Sequence, residues 1–316
     1  MSQHYCVVGV GGHARNQLIP ALLANDQQVV GLVSTQSPSL LPCGPVFENI
    51  DLALLALPTD TVFIIASPPA LHLQQVRSVV EAGRDVIVEK PAFVLADDAR
   101  EIATICQVQG TIVVEGLMHR HTALYRRFIE YWFIHRNRID VMDAVFLIPE
   151  LPTGTFRQES SIASSCLNDM GCYVISLLAE LLLPLSDLRL VQVSHFGKGL
   201  EKLSIFGVLD GVKISIKIGV AATYQNVIEL KTRDGEKARF FPFFYGRPGE
   251  RWITVGSHTS IKKEVLVDVN AFQVMFLVPR SQWLADQAAR SARMIAVATC
   301  LEALGHELLI FRRYQQ

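Results

Sequence analysis

Neither sign of charge dominates this chain: 29 Lys and Arg against 30 Asp and Glu over 316 residues leave a formal net charge of -1. That balance removes the electrostatic case for nucleic acid or an anionic membrane surface as partner. No two cysteines form a CxxC pair. The six thiols, at 6, 43, 106, 166, 172 and 300, are scattered, which argues against a metal knuckle and for reduced thiols in a cytoplasmic setting. No apolar run approaches the ~20 residues that span a bilayer; the best, around Val174–Leu185, is about a dozen long. The first residues carry no basic leader or cleavage pattern, so no signal peptide is expected. Internal repeats and low-complexity linkers are absent too.

Half of the residues are hydrophobic and 19% charged, enough for a sizeable core, and the length suits two domains. Residues 1–120 and 121–316 differ in pattern. In the first part apolar strands alternate with helices: Tyr5–Val10, Val29–Val33, Val62–Ala66, Val86–Val88 and Thr111–Val114 read as strands. Arg15–Ala24, Leu71–Ala82 and Asp97–Gln107 read as helices. Continuous apolar strands between helices mean a parallel sheet covered on both faces. In the second part strands follow one another through turns: Val141–Ile148, Leu188–Ser194, Ser204–Val208, Val212–Ile218, Val227–Thr232 and Lys262–Val267. Asp210-Gly211 and Asp234-Gly235 are hairpin signals. A mostly antiparallel sheet is expected there, interrupted by a helix over Met170–Leu183. A final helix over Ser281–Leu304, with Trp283, Ala288, Ala292, Ile295, Ala298 and Leu301 on one face, is expected to pack back on the first domain. The fold class is therefore an α/β Rossmann domain plus an α+β domain with a large sheet.

The most informative stretch is Val7–Leu18, VVGVGGHARNQL, which runs from a strand through Gly9-x-Gly11-x-x-Ala14 into a helical pattern. This is the order that a dinucleotide-binding turn requires. Gly9 permits the tight turn, Gly11 lets a pyrophosphate approach the backbone, and Ala14 keeps the helix near the sheet. Ligands of such a sheet bind beyond the C-terminal strand ends. Gly9–Gly11, Ser67–Pro69 and Glu89–Pro91 are expected to gather there.

Four further fragments extend the pattern: Ala66–His72 as AxPxxxH, Ala82–Pro91 as AGxxVxxEKP, Glu115–Arg120 as the passage into the second domain, and Asp169–Tyr173 as DxGxY. Together they resemble the glucose–fructose oxidoreductase/inositol dehydrogenase family (Gfo/Idh/MocA). The resemblance implies a two-domain NAD(P)-dependent oxidoreductase, with a second-domain sheet used for substrate and for subunit contacts in a homo-oligomer, dimer or tetramer. Many members end the last motif in histidine; Tyr173 is similar to the group with tyrosine, among them sugar ketoreductases. Gly9, Gly11, Gly12, His13, Ala14, Arg15, Ser34, Thr35, Ser67, Pro68, His72, Glu89 and Lys90 are implied to line the cofactor. Lys90, His119, Arg120, Arg157, Asp169 and Tyr173 are implied to face the substrate.

The chemistry agrees with that assignment. Moving a hydride between a nicotinamide and a carbonyl carbon builds or removes charge on the carbonyl oxygen, which needs a proton partner and a cation. A tyrosine, with a reference pKa of about 10, gains phenolate character beside a lysine ammonium. Tyr173 is assigned as acid/base and Lys90 as charge stabiliser, roles that the sequence leaves interchangeable. Asp169, an N-cap candidate for its helix, is a third catalytic candidate.

An acid usually binds the ribose hydroxyls of NAD some 20 residues after the glycine turn. Here the second strand ends in Val33-Ser34-Thr35-Gln36, and small hydroxyls accept a 2′-phosphate where a carboxylate repels it. NADP(H) is therefore favoured over NAD(H), with Arg15 the only Lys or Arg before Arg77 to pair with that phosphate. Residues Pro149–Ser165, rich in Thr, Ser and Gln, suit a polyhydroxylated ligand: a sugar, cyclitol or nucleotide-linked ketosugar. A C=N reductase and a non-catalytic NADP(H)-binding sensor or scaffold are the alternatives. The pairs Lys262-Lys263 and Arg312-Arg313 read as solvated faces.

Overall fold

The computed structural model describes residues 2–36, 43–149, 165–195, 201–220, 223–257 and 260–314. These fall into two compact units, residues 1–117 with 272–295, and residues 118–271 with 296–316.

The first unit is built on strands β1 (His4–Val8), β2 (Gln28–Val33), β3 (Val46–Phe47), β4 (Val62–Ile65), β5 (Val86–Val88) and β6 (Val113–Glu115). They form one parallel sheet in the order β3-β2-β1-β4-β5-β6. β4 and β5 are buried along their whole length, as a sheet covered on both faces demands. A π-helical turn (Ala14–Leu18) leads into α1 (Ile19–Leu23); α2 (Ile50–Ala56), α3 (His72–Glu81) and α4 (Ala96–Gln109) follow. Gly110, at φ 67°, ends α4 in the left-handed conformation that glycine adopts freely. Segment 272–295 completes this unit. Phe276 meets Tyr5 edge-on at 5.7 Å, and Arg280 Nε donates to Asp85 Oδ2 at 2.5 Å. Gln287 Nε2 donates to Thr111 O at 2.6 Å.

The second unit carries eight strands: β7 (Ile139–Ile148), β8 (Arg189–His195), β9 (Glu201–Leu209), β10 (Val212–Val220), β11 (Gln225–Thr232), β12 (Lys237–Phe241), β13 (Gly249–Gly256) and β14 (Ile261–Asp268). Their order is β14-β13-β12-β11-β7-β10-β9-β8. Every pairing is antiparallel except that of β7 with β10. Asp210 and Gly211 both have positive φ between the paired Leu209 and Val212, the two-residue turn whose twist fits a hairpin. Helix α5 (Ala123–His135) buries Leu124, Tyr125, Phe128 and Trp132; Phe128 meets Phe240 and Phe243 edge-on at 5.1 and 5.0 Å. Helix α6 (Cys172–Glu180) is buried except at its final residue.

Four expectations need correction. The end of the chain is not one helix: α7 (Ala271–Phe276) and α8 (Arg280–Ala285) precede α9 (Gln287–Tyr314). Its buried stripe is Met294, Val297, Ala298, Leu301, Leu304 and Leu308, whereas Ala288 and Ala292 are exposed. By length and composition α9 is also long and apolar enough to cross a membrane, although Thr299, Glu302, His306 and Glu307 interrupt its apolar run. Its buried stripe is that of a core helix. Finally, Arg312 is not on a solvated face: its Nε donates to the buried Glu201 carboxylate at 2.7 Å. Lys262 and Lys263 are exposed as expected.

Candidate cofactor and acid-base site

In the first unit three strand ends meet at Gly9. Its N–H donates to Val33 O at 3.0 Å, and its φ is +85°. A Cβ placed there would stand 2.6 Å from Ser67 N and 2.8 Å from Ser67 Cα, so only glycine fits. Around Gly11 and Gly12 the situation is the opposite: a Cβ on either meets nothing within 4 Å. This open ground at the start of the helical segment is where a dinucleotide pyrophosphate fits. Arg15 folds back across the turn. Its Nε donates to Val10 O at 3.1 Å, and its guanidinium bonds the Gln36 side-chain oxygen. Gln36 N in turn donates to Ser34 Oγ at 3.1 Å. The cation is thereby held beside the hydroxyls that follow β2.

The ends of β4 and β5 stand next to this turn. Glu89 N donates to Ile65 O at 2.8 Å, and His13 Nε2 lies 3.1 Å from Glu89 Oε1. Phe272 touches the His13 ring edge-on at 5.5 Å. Gly9, His13, Ser67 and Glu89 thus converge, as the strand ends of a parallel sheet should. Lys90 follows, half-buried, between Glu89 and the buried Pro91. His72 opens α3 but does not present its ring to solvent. It is 1% exposed, and its nitrogens face the carbonyls of Ser67, Pro91 and Ala92 at 2.9–3.2 Å. Burial pushes its pKa down, opposed by those carbonyls and by Glu89.

In the second unit a π-helical turn (Leu167–Gly171) leads into α6. Asp169 does not cap that helix: it lies inside the turn, its N–H donating to Ser165 O at 3.0 Å, and the capping position is Cys166. The extra residue of a π turn re-aims the side chains around it. Gly171 is confined too, a Cβ there standing 3.1 Å from Ile218 Cδ1 and 3.2 Å from Leu167 Cδ1. Tyr173, 7% exposed, rests in an aromatic nest of His119, Phe146 and Phe244 with ring centroids at 5.1, 5.7 and 6.0 Å. Its hydroxyl donates to Met118 Sδ at 3.5 Å.

The substrate candidates near residue 120 divide. Arg120 is committed to an ion pair with Glu180. His119 is sealed at 0% exposure, and neither ring nitrogen finds a hydrogen-bond partner among the described residues. Burial, then the charges of Arg120 and His121, hold its pKa well below the usual histidine value. His121 is pushed down to about 4 by burial, then by Arg120 and Arg126. Both imidazoles are neutral at working pH. Arg157 and most of Pro149–Ser165 lie outside the described residues. No group of three or more His, Cys, Asp or Glu able to hold a metal occurs among the described residues.

Sequence reasoning missed Gln36, Glu115, Phe272 and the aromatic nest. Phe272 carries no local signal, being 259 positions from the ring it touches. Glu115 lay within a recognised fragment, but its job, accepting the Ala92 N–H at 2.9 Å, depends on tertiary placement.

Comparison with known proteins matches residues 3–117 to GFO_IDH_MocA, described as an oxidoreductase family with an NAD-binding Rossmann fold. A D-xylose 1-dehydrogenase (NADP(+)) of Haloferax volcanii is 26% identical over 177 residues, 54% of each chain. A dTDP-3,4-didehydro-2,6-dideoxy-alpha-D-glucose 3-reductase of Streptomyces violaceoruber is 26% identical over 58% of this chain and 55% of its own length. The chain thus spans about half the length of the curated relatives it matches. Among solved structures, the 3-ketoreductase KijD10 from Actinomadura kijaniata, in complex with NADP and TDP-benzene, superposes with a TM-score of 0.80 at 18% identity, covering 97% of this chain and 98% of that one. An aldose-aldose oxidoreductase from Caulobacter crescentus, complexed with glycerol, gives 0.81 at 14% identity, over 98% of both chains. At these identities the likeness establishes the fold. Over residues 3–117, which carry the glycine turn and the Glu89-Lys90-Pro91 strand end, this chain matches the GFO_IDH_MocA oxidoreductase family.

Proposed function

We propose that this chain is an NADP(H)-dependent oxidoreductase acting on a carbonyl or alcohol carbon of a sugar or nucleotide-linked ketosugar. The observation that carries the reading is the convergence of Gly9, His13, Ser67 and Glu89, which puts Lys90 one residue from the glycine turn's own contact. The relatives point the same way: an NADP(+)-dependent xylose dehydrogenase and dTDP-ketosugar 3-reductases. Arg15, held beside Ser34 and Gln36, supplies the positive charge that a 2′-phosphate requires, and the sequence Ser34-Thr35-Gln36 contains no carboxylate to oppose it.

When bound, the nicotinamide supplies or accepts the hydride. Gly11 and Gly12 leave their backbone open to the pyrophosphate. The Lys90 ammonium stabilises the charge that develops on the substrate oxygen, and the Tyr173 hydroxyl gives or takes the proton there. Tyr173 is suited to this because its ring is fixed on three sides by aromatic neighbours, so little orientational freedom remains to be lost. Asp169, four residues earlier in the same helical segment, contributes a carboxylate on the substrate side. Assembly into a homo-oligomer through the second unit's sheet belongs to the same reading.

The test joins binding with turnover. Fluorescence titration should show NADPH bound more tightly than NADH. In an absorbance assay on a panel of aldoses and dTDP-ketosugars, Lys90→Ala and Tyr173→Phe should each lower turnover at least ~100-fold, with NADPH affinity nearly intact. NADPH binding without turnover of any panel member, together with unaltered behaviour of both variants, would favour a sensor or scaffold.

A further inference from the structure

The turn after Lys90 is gripped from two sides. On one side His72 sets Nδ1 3.0 Å from Pro91 O and 3.2 Å from Ala92 O, while Nε2 lies 2.9 Å from Ser67 O. On the other, Glu115 at the end of β6 takes the Ala92 N–H on Oε1 at 2.9 Å. Regular structure does neither job here: β5 ends at Val88 and α4 begins at Ala96. The buried carbonyls and amide of the connection must find side chains instead.

We propose that His72 and Glu115 are positioning residues for Lys90, clamping the two residues after it from the carbonyl side and the amide side respectively. The clamp spans three elements. His72 stands at the start of α3 with Nε2 beside Ser67 at the end of β4, its Nδ1 reaches the turn after β5, and Glu115 adds the end of β6. All three acceptors around the imidazole are backbone carbonyls, and a neutral ring carries a single N–H, which the clamp requires on Nδ1, facing Pro91 and Ala92. That defines what a substitute must supply. Asparagine places an N–H near the Nδ1 position and keeps the grip on Pro91 and Ala92; glutamine places it near Nε2 and keeps only Ser67. Glu115→Gln retains an acceptor oxygen, and Glu115→Ala does not. The catalytic meaning of the clamp rests on the reading of Lys90 above; the clamp itself does not.

Two measurements on the full-length chain test it without any substrate. In hydrogen-exchange mass spectrometry, peptides covering Glu89–Phe93 should exchange about tenfold faster in His72→Gln and Glu115→Ala, with α4 peptides unchanged. In His72→Asn and Glu115→Gln they should stay near wild type. Second, the pH profile of Lys90 labelling by acetic anhydride, read by peptide mass, should move by about half a pH unit or more in the two disruptive variants and overlay wild type in the two conservative ones. A generally loosened fold would speed exchange everywhere and would not be rescued by Asn or Gln. Overlaying profiles in all four variants overturn the proposal, as does rescue by His72→Gln but not His72→Asn. Glu115→Ala removes a single bond, so it decides the matter if the His72 variants fail to fold. Unchanged turnover in Lys90→Ala is a different failure: it would sink the proposed reaction and leave the labelling result standing.

Discussion

Among the described residues, the buried His72 and His119 and the half-buried His121 answer desolvation in different ways. His72 faces carbonyls, His119 faces aromatic rings, and His121 sits among arginines, yet burial heads the causes that lower all three. For His121 the sign of the pH effect is clear. Its folded value, about 4, lies below the unfolded value of about 6.5, so the folded state resists proton uptake. The stability tied to its neutral form is complete above about pH 6.5 and is lost as the pH falls toward 4. Thermal melting from pH 8 to 4 should show this decline, and His121→Asn should flatten part of it; an equally steep decline in the variant would assign the effect elsewhere. Glycine offers a second contrast at this scale. Gly9→Ala combines an unfavourable φ with a backbone clash and should cost about 2–4 kcal/mol of stability without any ligand. Gly11→Val should leave melting nearly unchanged and weaken NADPH binding at least ~10-fold. Calorimetry and fluorescence titration separate the two.

At the scale of elements, α5 begins on a residue with two bonds. Thr122 Oγ1 accepts Tyr125 N–H at 3.1 Å, capping the helix, and donates to His119 O at 2.8 Å. Thr122→Val keeps the shape and removes both, for an expected loss of about 1–2 kcal/mol in chemical denaturation. A change below ~0.3 kcal/mol would mean that water replaces the hydroxyl. α5 also marks a limit of legibility. Leu124, Tyr125, Phe128 and Trp132 have helical spacing, but the stretch follows directly on the fragment Glu115–Arg120, and no helix was expected there. β12 and β13 escaped for another reason: Phe241–Gly249 between them is rich in Pro, Gly and aromatics, and this reads as loop. β1, β2, β4, β5 and β6 were legible because burial leaves Val- and Ile-rich runs, whereas the two-residue, half-buried β3 was not. The N-capping expectation for Asp169 failed because a π-helical turn begins earlier, at Leu167, and no local pattern announces a π turn. Lys90, Tyr173 and His72 stand out by motif; Glu115 and Phe244 do not, since their contacts with Ala92 and Tyr173 cross sequence distance.

For the whole molecule, the second unit's sheet leaves apolar groups on its outer face. Phe206 is 43% exposed and Val267 76%. Phe241 and Trp252 stack at 5.5 Å, and Val265 pairs with Trp252 across the strands. A homo-oligomer through this face would cover them. Sedimentation velocity at micromolar concentration should give a dimer or tetramer, and Phe206→Glu with Val208→Lys should shift it toward monomer. A wild-type monomer under these conditions removes the assembly.

The return of residues 272–295 to the first unit has a practical consequence. A gene fragment cut where the family match stops, at residue 117, would encode the parallel sheet but strip Phe276 from Tyr5, Arg280 from Asp85 and Gln287 from Thr111. Such a fragment should be sticky and poorly behaved on expression. Grafting 272–295 onto it through a short flexible linker is the way to obtain a free-standing nucleotide-binding half.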